Sequence, residues 1–175
     1  EAELFRDQRK VLDKRVNFFV DPAKHIDVEK NQVTTEAGRT FRYDYLVLAT
    51  GSRIMPQNIP GMKEGGHWFY DLDGARKLRT ALNAFQGGKI VVNVNAPHKC
   101  PVAPLEFCFL ADAYFVDRGI RDHVEITYVT PLDGAFTKPV ASAHLGGMLA
   151  EKGIELVTEF NTGEVDGAGG RLVSY

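Results

Sequence analysis

Apolar and polar positions along this chain follow two rhythms. From Lys89 onward, short apolar runs ("KIVVNVN", "VEITYVT", "IELVTEF") alternate with longer stretches of helical spacing ("VAPLEFCFLADAYFVDRG", "ASAHLGGMLAEKG"). Compact apolar runs read as buried strands and the stretches between them as crossover helices. Gly119 and Gly153 stand where those helices should close. Upstream, "DLDGARKLRTALNAF" (Asp71 to Phe85) predicts a helix with an aspartate cap and an apolar face of Leu78, Ala81, Leu82 and Phe85, stopped by Gly87 and Gly88. Strand, helix, strand, helix, strand from Lys89 to Phe160 predicts a parallel sheet with right-handed crossovers.

The first third is less regular. "LFRDQRKVLDKR" (Leu4 to Arg15) has helical spacing and charge, and "VNFFV" (Val16 to Val20) reads as a buried strand. "HIDVEKNQVTT" predicts a hairpin turning at Glu29, Lys30 and Asn31. "TFRYDYLVLATGS" ends in an apolar strand, Tyr45 to Ala49, closed by Thr50. "RIMPQNIPGMKEGG" is a linker rich in proline and glycine, and "GEVDGAGGRLVSY" starts another hairpin. A weak repeat joins the two ends: Val16, Ile26 and Val33 correspond to Ile154, Val165 and Leu172. The expected fold class is α/β, a Rossmann-like parallel sheet with crossover helices plus β-hairpin and meander segments. The expected organisation is a first segment 1–56, a linker 57–70, a Rossmann-like domain 71–160 and a second meander beginning at 161–175.

Composition narrows the function classes. Hydrophobic residues make up 44% and charged residues 25%, ordinary for a globular protein. Net charge is −2, from 21 basic and 23 acidic residues, which gives no electrostatic reason to expect nucleic acid. No apolar run approaches the ~20 residues of a transmembrane helix. Two cysteines do not make a disulfide scaffold, and they suggest a reducing compartment. The chain opens without methionine on a helical run, so it is expected to be an internal fragment.

The chemistry concentrates after the first predicted parallel strand. A nicotinamide-binding domain needs G-x-G-x-x-G there and an acid ending the next strand. The loop is "NAPHKCPVAP", without glycine, and "VEITYVT" is followed by no acid until Asp133. Prolines remove backbone donors, and side chains block close approach of a pyrophosphate. NAD(P) binding is therefore not expected. Cys100 stands near the start of the next helix, where the helix dipole, Lys99 and a charged His98 would favour thiolate over thiol. Cys108, mid-helix between Phe107 and Phe109, reads as a buried hydrophobe. Eight residues of helix separate the two by roughly 12 Å, beyond the ~7 Å that a disulfide spans.

At Phe41, Tyr43, Asp44, Leu46, Val47, Leu48, Ala49, Thr50, Gly51 and Ser52 the sequence resembles the second flavin signature of flavoproteins with two dinucleotide-binding domains. Gly51 lets backbone approach a cofactor at a strand end. The first flavin signature, G-x-G-x-x-G, does not occur, and "GAGG" at 167–170 precedes a strand and reads as a turn. The stretch from Lys99, Cys100, Ala103, Pro104 and Glu106 through Arg118–Asp122 to Thr130–Leu132 resembles the sulfide:quinone oxidoreductases. The resemblance implies FAD as cofactor, with Ala49, Thr50, Gly51 and Pro104 against it, and sulfide and quinone as partners. It implies that Cys100 is one of two redox cysteines, that sulfide attacks their disulfide or bridging polysulfide, and that electrons pass through a thiolate–flavin adduct to quinone. It further implies peripheral attachment to the cytoplasmic membrane, with oligomerisation possible. The fragment itself is expected to be soluble, to hold no FAD and to be inactive.

Other residues stay weaker. His25, His67, His123 and His144 lack metal-ligand spacing, so no metal is expected. His98 is placed to tune the cysteine, and Glu106 to accept a proton or simply to favour the helix start. Trp68, Phe69 and Tyr70 are expected to pack over the linker. Three functional classes stay open: the sulfide:quinone oxidoreductase; a flavocytochrome c sulfide dehydrogenase-like or NADH:quinone dehydrogenase-like flavoprotein; and a non-catalytic module with a structural cysteine.

Overall fold

The structure is a computed structural model and describes residues 5–175. The chain divides into two compact units, residues 1–51 and 52–175. Each is described by itself.

In the first unit, the helix predicted from Leu4 to Arg15 is reduced to one turn, α1 (Gln8–Val11); Leu4 lies outside the described residues. Asp7 accepts from the Arg9 backbone N–H to start the turn. Asp13 then accepts from both the backbone N–H and the Nε of Arg15. Such side-chain bonds offer the backbone an alternative to helix, and a short helix with no buried face has nothing to oppose them. Val11 and Leu12 are exposed.

β1 (Ala23–Asp27) and β2 (Gln32–Thr35) form the predicted hairpin, and β3 (Thr40–Arg42) continues the antiparallel sheet. Two other expectations fail. Val16 to Val20 forms no strand, and Val16, Phe18, Phe19 and Val20 are all exposed. Tyr45 to Ala49 forms no strand either: Tyr45 is 94% and Val47 85% exposed. A strand becomes a strand through its neighbours' hydrogen bonds. Among the described residues, neither segment lies beside a strand that could supply them. Phe19 makes a local contact instead, with its ring 4.9 Å from that of Phe41 and the Arg39 guanidinium over it at 5.4 Å.

The second unit holds the predicted parallel sheet. β4 (Gly88–Asn93), β5 (Val124–Val129) and β6 (Ile154–Val157) pair in the order β4-β5-β6, all parallel. One rung runs Ile90, Ile126, Ile154 across the three strands. Central β5 is buried at every position but Glu125, which explains its nearly unbroken apolar run. The crossovers are α4 (Ala103–Asp117), packed on β4 and β5, and α5 (Pro139–Glu151), packed on β6. Leu105, Cys108, Phe115, Ile126, Tyr128, Leu149 and Ile154 form the centre of the core.

α3 (Leu72–Ala84) begins where expected, with Asp71 accepting from the Gly74 N–H at 2.6 Å. Its predicted apolar face delivers Leu82 and Phe85 to the core. The glycines after α4 and α5 adopt the left-handed conformation that ends a helix, Gly119 at φ +67° and Gly153 at φ +61°. Asp112 on α4 is a buried polar anchor. Its carboxylate accepts from Arg121 Nε and Lys152 Nζ, each at 2.7 Å, and so ties α4 to the turns before β5 and after α5.

At the expected linker, Pro56–Asn58 forms a 3₁₀ turn that begins one residue ahead of it, and α2 (Met62–Gly65) forms a single helical turn. This stretch docks on β7 (Thr162–Asp166), which pairs with β8 (Arg171–Ser174) as the second predicted hairpin. Val165 donates its N–H to the Pro60 carbonyl at 2.9 Å. No helix among the described residues is long and apolar enough to cross a membrane.

Candidate functional site

The β4–α4 connection contains the sequence's main candidate. β4 delivers the chain to the carboxyl edge of the parallel sheet, the end at which open α/β sheets bind ligands. Val94 extends the ladder one step by donating to the Val129 carbonyl at 2.8 Å. The chain then turns through Pro97–Pro101 without helix or strand and enters α4 at Ala103. Pro104 sits in the first helical turn, where its missing N–H costs nothing, and is buried.

Cys100 lies in this turn, half-buried and free. Cys108 is also free and fully buried, so the two are not bonded, as their spacing requires. Burial pushes the Cys108 thiol up to about 12, which leaves it a protonated hydrophobe at neutral pH. The two cysteines thus have different environments: Cys100 is reachable, and Cys108 belongs to the core. His98, two residues before Cys100, has a buried Nδ1 without a hydrogen-bond partner. Glu106 is exposed in the first turn of α4.

Sequence reasoning missed how closely the aromatic triplet is tied to this turn. Trp68, Phe69 and Tyr70 do not simply cover the linker. Phe69 stacks on Phe107 of α4 at 5.1 Å and on Tyr70 at 5.3 Å, with interplanar angles of 9° and 17°. Trp68 donates from Nε1 to Asp71, the cap of α3, at 2.9 Å. The Tyr70 hydroxyl is held above the ordinary tyrosine range, first by burial and then by the negative charge that Cys100 can carry nearby. The aromatic run preceding an aspartate cap was the available signal. What it lacked was the partner, Phe107, almost forty positions away.

Ala49, Thr50 and Gly51 belong to the first unit, whereas Cys100 and Pro104 belong to the second. All three of the former are exposed, and Gly51 is left-handed at φ +74° with no atom within 4 Å of where a Cβ would stand. Among the described residues, Tyr45–Gly51 make no backbone hydrogen bond, so their N–H groups are free for an incoming group. The segment is no strand, but its open backbone is what the approach of a cofactor to Gly51 would require. No cluster of three His, Cys, Asp or Glu that could hold a metal occurs among the described residues.

Comparison with known proteins follows the same lines. The chain is 26% identical over 166 residues to the mitochondrial sulfide:quinone oxidoreductase of Mus musculus, a match covering 91% of this chain and 37% of that protein. It is 38% identical over 65 residues to an NADH dehydrogenase-like protein of Mycobacterium tuberculosis, covering 37% of this chain and 16% of the relative. The crystal structure of the Aquifex aeolicus sulfide:quinone oxidoreductase superposes with a TM-score of 0.70 at 23% identity, over 90% of this chain and 40% of that one. The chain therefore spans well under half the length of these relatives. The model of the pyridine nucleotide-disulphide oxidoreductases matches residues 2–94, more than half of the sequence. By that match, and with a fold to suit it, this chain belongs to the pyridine nucleotide-disulphide oxidoreductase family.

Proposed function

We propose that this chain is part of a flavin-dependent sulfide:quinone oxidoreductase in which Cys100 is a redox cysteine. The observation that carries the reading is the β4–α4 turn. Where a dinucleotide-binding domain would place glycines, this one holds a half-buried, free cysteine between prolines. Sequence similarity to sulfide:quinone oxidoreductases over nine-tenths of the chain supports it.

In this reading FAD supplies the two-electron acceptor when bound. Ala49, Thr50 and Gly51 offer free backbone at the edge of the cofactor, and Pro104 shapes the start of α4 against it. Cys100 is paired in a disulfide with a second cysteine outside this chain. Hydrosulfide attacks Cys100 sulfur: a new S–S bond forms, the cysteine–cysteine bond breaks, and the second cysteine leaves as a thiolate carrying the electron pair. Quinone is the final electron acceptor, at a site elsewhere in the protein. Residues 1–56 serve as part of the flavin-binding domain, 57–70 as its connection, 71–160 as a second domain that has lost its dinucleotide loop, and 161–175 as the beginning of another meander. Peripheral attachment at the cytoplasmic membrane and self-association belong to the same proposal.

The test uses the full-length protein that contains this chain. Cys100→Ser is expected to lower sulfide-dependent quinone reduction by on the order of 100-fold or more, because the disulfide that hydrosulfide attacks can no longer form. Unchanged turnover would overturn the cysteine mechanism. A second reading, an NADH:quinone oxidoreductase, is favoured by the 38% identity to the NADH dehydrogenase-like relative. The glycine-free loop opposes it, and NADH-dependent quinone reduction insensitive to Cys100→Ser would establish it.

A further inference from the structure

In the second unit, residues Ser52 to Ile54 and Tyr70–Asp71 line, with Lys99, a concavity of about 170 Å³ that opens to solvent. Its charges are unbalanced. Among the described residues, neither Arg53 nor Lys99 has an ion-pair or side-chain hydrogen-bond partner, and the hydroxyls of Ser52 and Tyr70 are equally unengaged. Asp71 also lines the cavity, but both its oxygens are in use: Oδ1 accepts from the Gly74 N–H and Oδ2 from Trp68 Nε1. The wall therefore presents a guanidinium fork, an ammonium and two hydroxyls that can donate, beside one carboxylate whose oxygens already accept from Gly74 and Trp68. Two cations against one carboxylate leave the concavity net positive, which raises its potential and concentrates anions in it.

We propose that this cavity binds a tetrahedral oxyanion of the sulfate or phosphate type. A guanidinium grips two oxygens of such an ion in its plane, while an ammonium acts as a point charge. Two further hydroxyl donors can serve the remaining oxygens, for which a carboxylate has no counterpart. The volume accommodates such an ion together with water. The same chemistry occurs in a free ion and in a phosphate monoester.

Trp68 provides the readout. It is the single tryptophan of the chain, and its indole N–H is bonded to a residue of the cavity wall. Titrating the chain with sodium sulfate and sodium phosphate, against sodium chloride at matched ionic strength, is expected to change Trp68 fluorescence saturably for the two oxyanions only. Calorimetry on the same solutions is expected to give the same dissociation constants. Arg53→Gln and Lys99→Gln alter exposed side chains without partners, so both variants should fold; each is expected to weaken binding by about tenfold or more, the worth of a charge-assisted bond. Adenosine monophosphate tighter than phosphate makes the monoester the preferred source, and weaker makes it the free ion. A response equal to that of chloride, no signal by either method, or unchanged binding in both variants would overturn the proposal.

Discussion

In the first hairpin Ile26 faces Val33 across the ladder; in the second Val165 faces Leu172. The likeness extends to detail. Both ladders slip at the same relative place, between Ala23 and His25 and between Thr162 and Glu164. In both, the last residue of the first strand is an aspartate, and its Oδ1 accepts a backbone N–H three residues on, from Lys30 at 3.0 Å and from Gly169 at 2.7 Å. In both, the other oxygen pairs with a cation of the turn or the return strand, Lys30 at 3.0 Å and Arg171 at 2.7 Å. The residue four beyond the aspartate is left-handed each time, Asn31 at φ 51° and Gly170 at φ 62°. Ahead of the hairpins the likeness stops. Ile154 is buried in the parallel sheet, while its counterpart Val16 is half exposed and in no strand. Turns that close within five residues are built from local bonds and recur wherever the residues recur. A strand needs a neighbour, and the neighbour is not local.

Mutations at matched positions can break or sharpen this comparison. The largest contrast is at the pair that failed to match. Ile154→Ala is expected to cost about 2–5 kcal/mol of unfolding free energy through the cavity it leaves, and Val16→Ala less than about 0.5. Denaturant unfolding measures both, and a large effect at Val16 would mean that it has a buried partner after all.

Next come the aspartates. Asp112, with its side chain 8% exposed and two cations upon it, contrasts with the turn aspartates 27 and 166. Asp112→Ala should cost about 3 kcal/mol, because Arg121 is left without its counter-charge in a buried setting. Burial alone would raise the Asp112 carboxyl, but the hydrogen bonds and charges of Lys152 and Arg121 outweigh it and hold the carboxyl below the usual range. A depressed native value stabilises above the unfolded value, near pH ~4, and that contribution fades as pH falls through the native value. Wild type should therefore lose more stability than Asp112→Asn on acidification below about pH 4. Parallel curves would remove Asp112 as the acid-sensitive anchor.

The smallest effects test the shared turn. Gly170→Ala should cost about 1 kcal/mol, the steric penalty of giving a left-handed residue a Cβ, whereas Asn31→Ala should cost less, about 0.5 kcal/mol or below, because Asn31 already carries a Cβ and loses only its amide's tolerance of that conformation. Asn31→Gly should be close to neutral. An Asn31→Ala cost as large as that of Gly170→Ala would show that the Asn31 amide, and not the backbone alone, holds the first turn.

The candidate site repeats the division between local and non-local determinants. The cysteine turn was legible because prolines, a missing glycine pattern and a helix start are all local. That Cys108 would be buried was legible from its place between Phe107 and Phe109. Phe69 was not placed against Phe107, and Arg53 was not placed with Lys99 around one cavity, because those partners are far apart in sequence. In the first unit the apolar run Tyr45 to Ala49 reads like a strand whether or not anything lies beside it, since apolarity records a preference for burial and not its fulfilment.

By itself the sequence determined where the hairpins turn, where the three long helices of the second unit lie, and that three apolar runs separated by helices form a parallel sheet. It determined these because aspartate caps, left-handed glycines and hydrophobic period act over a few residues. Only the tertiary structure decided which apolar segments are strands, which cysteine is reachable and which cations share a cavity. Those outcomes depend on backbone hydrogen bonds and packing between residues tens of positions apart, and no local pattern carries that information.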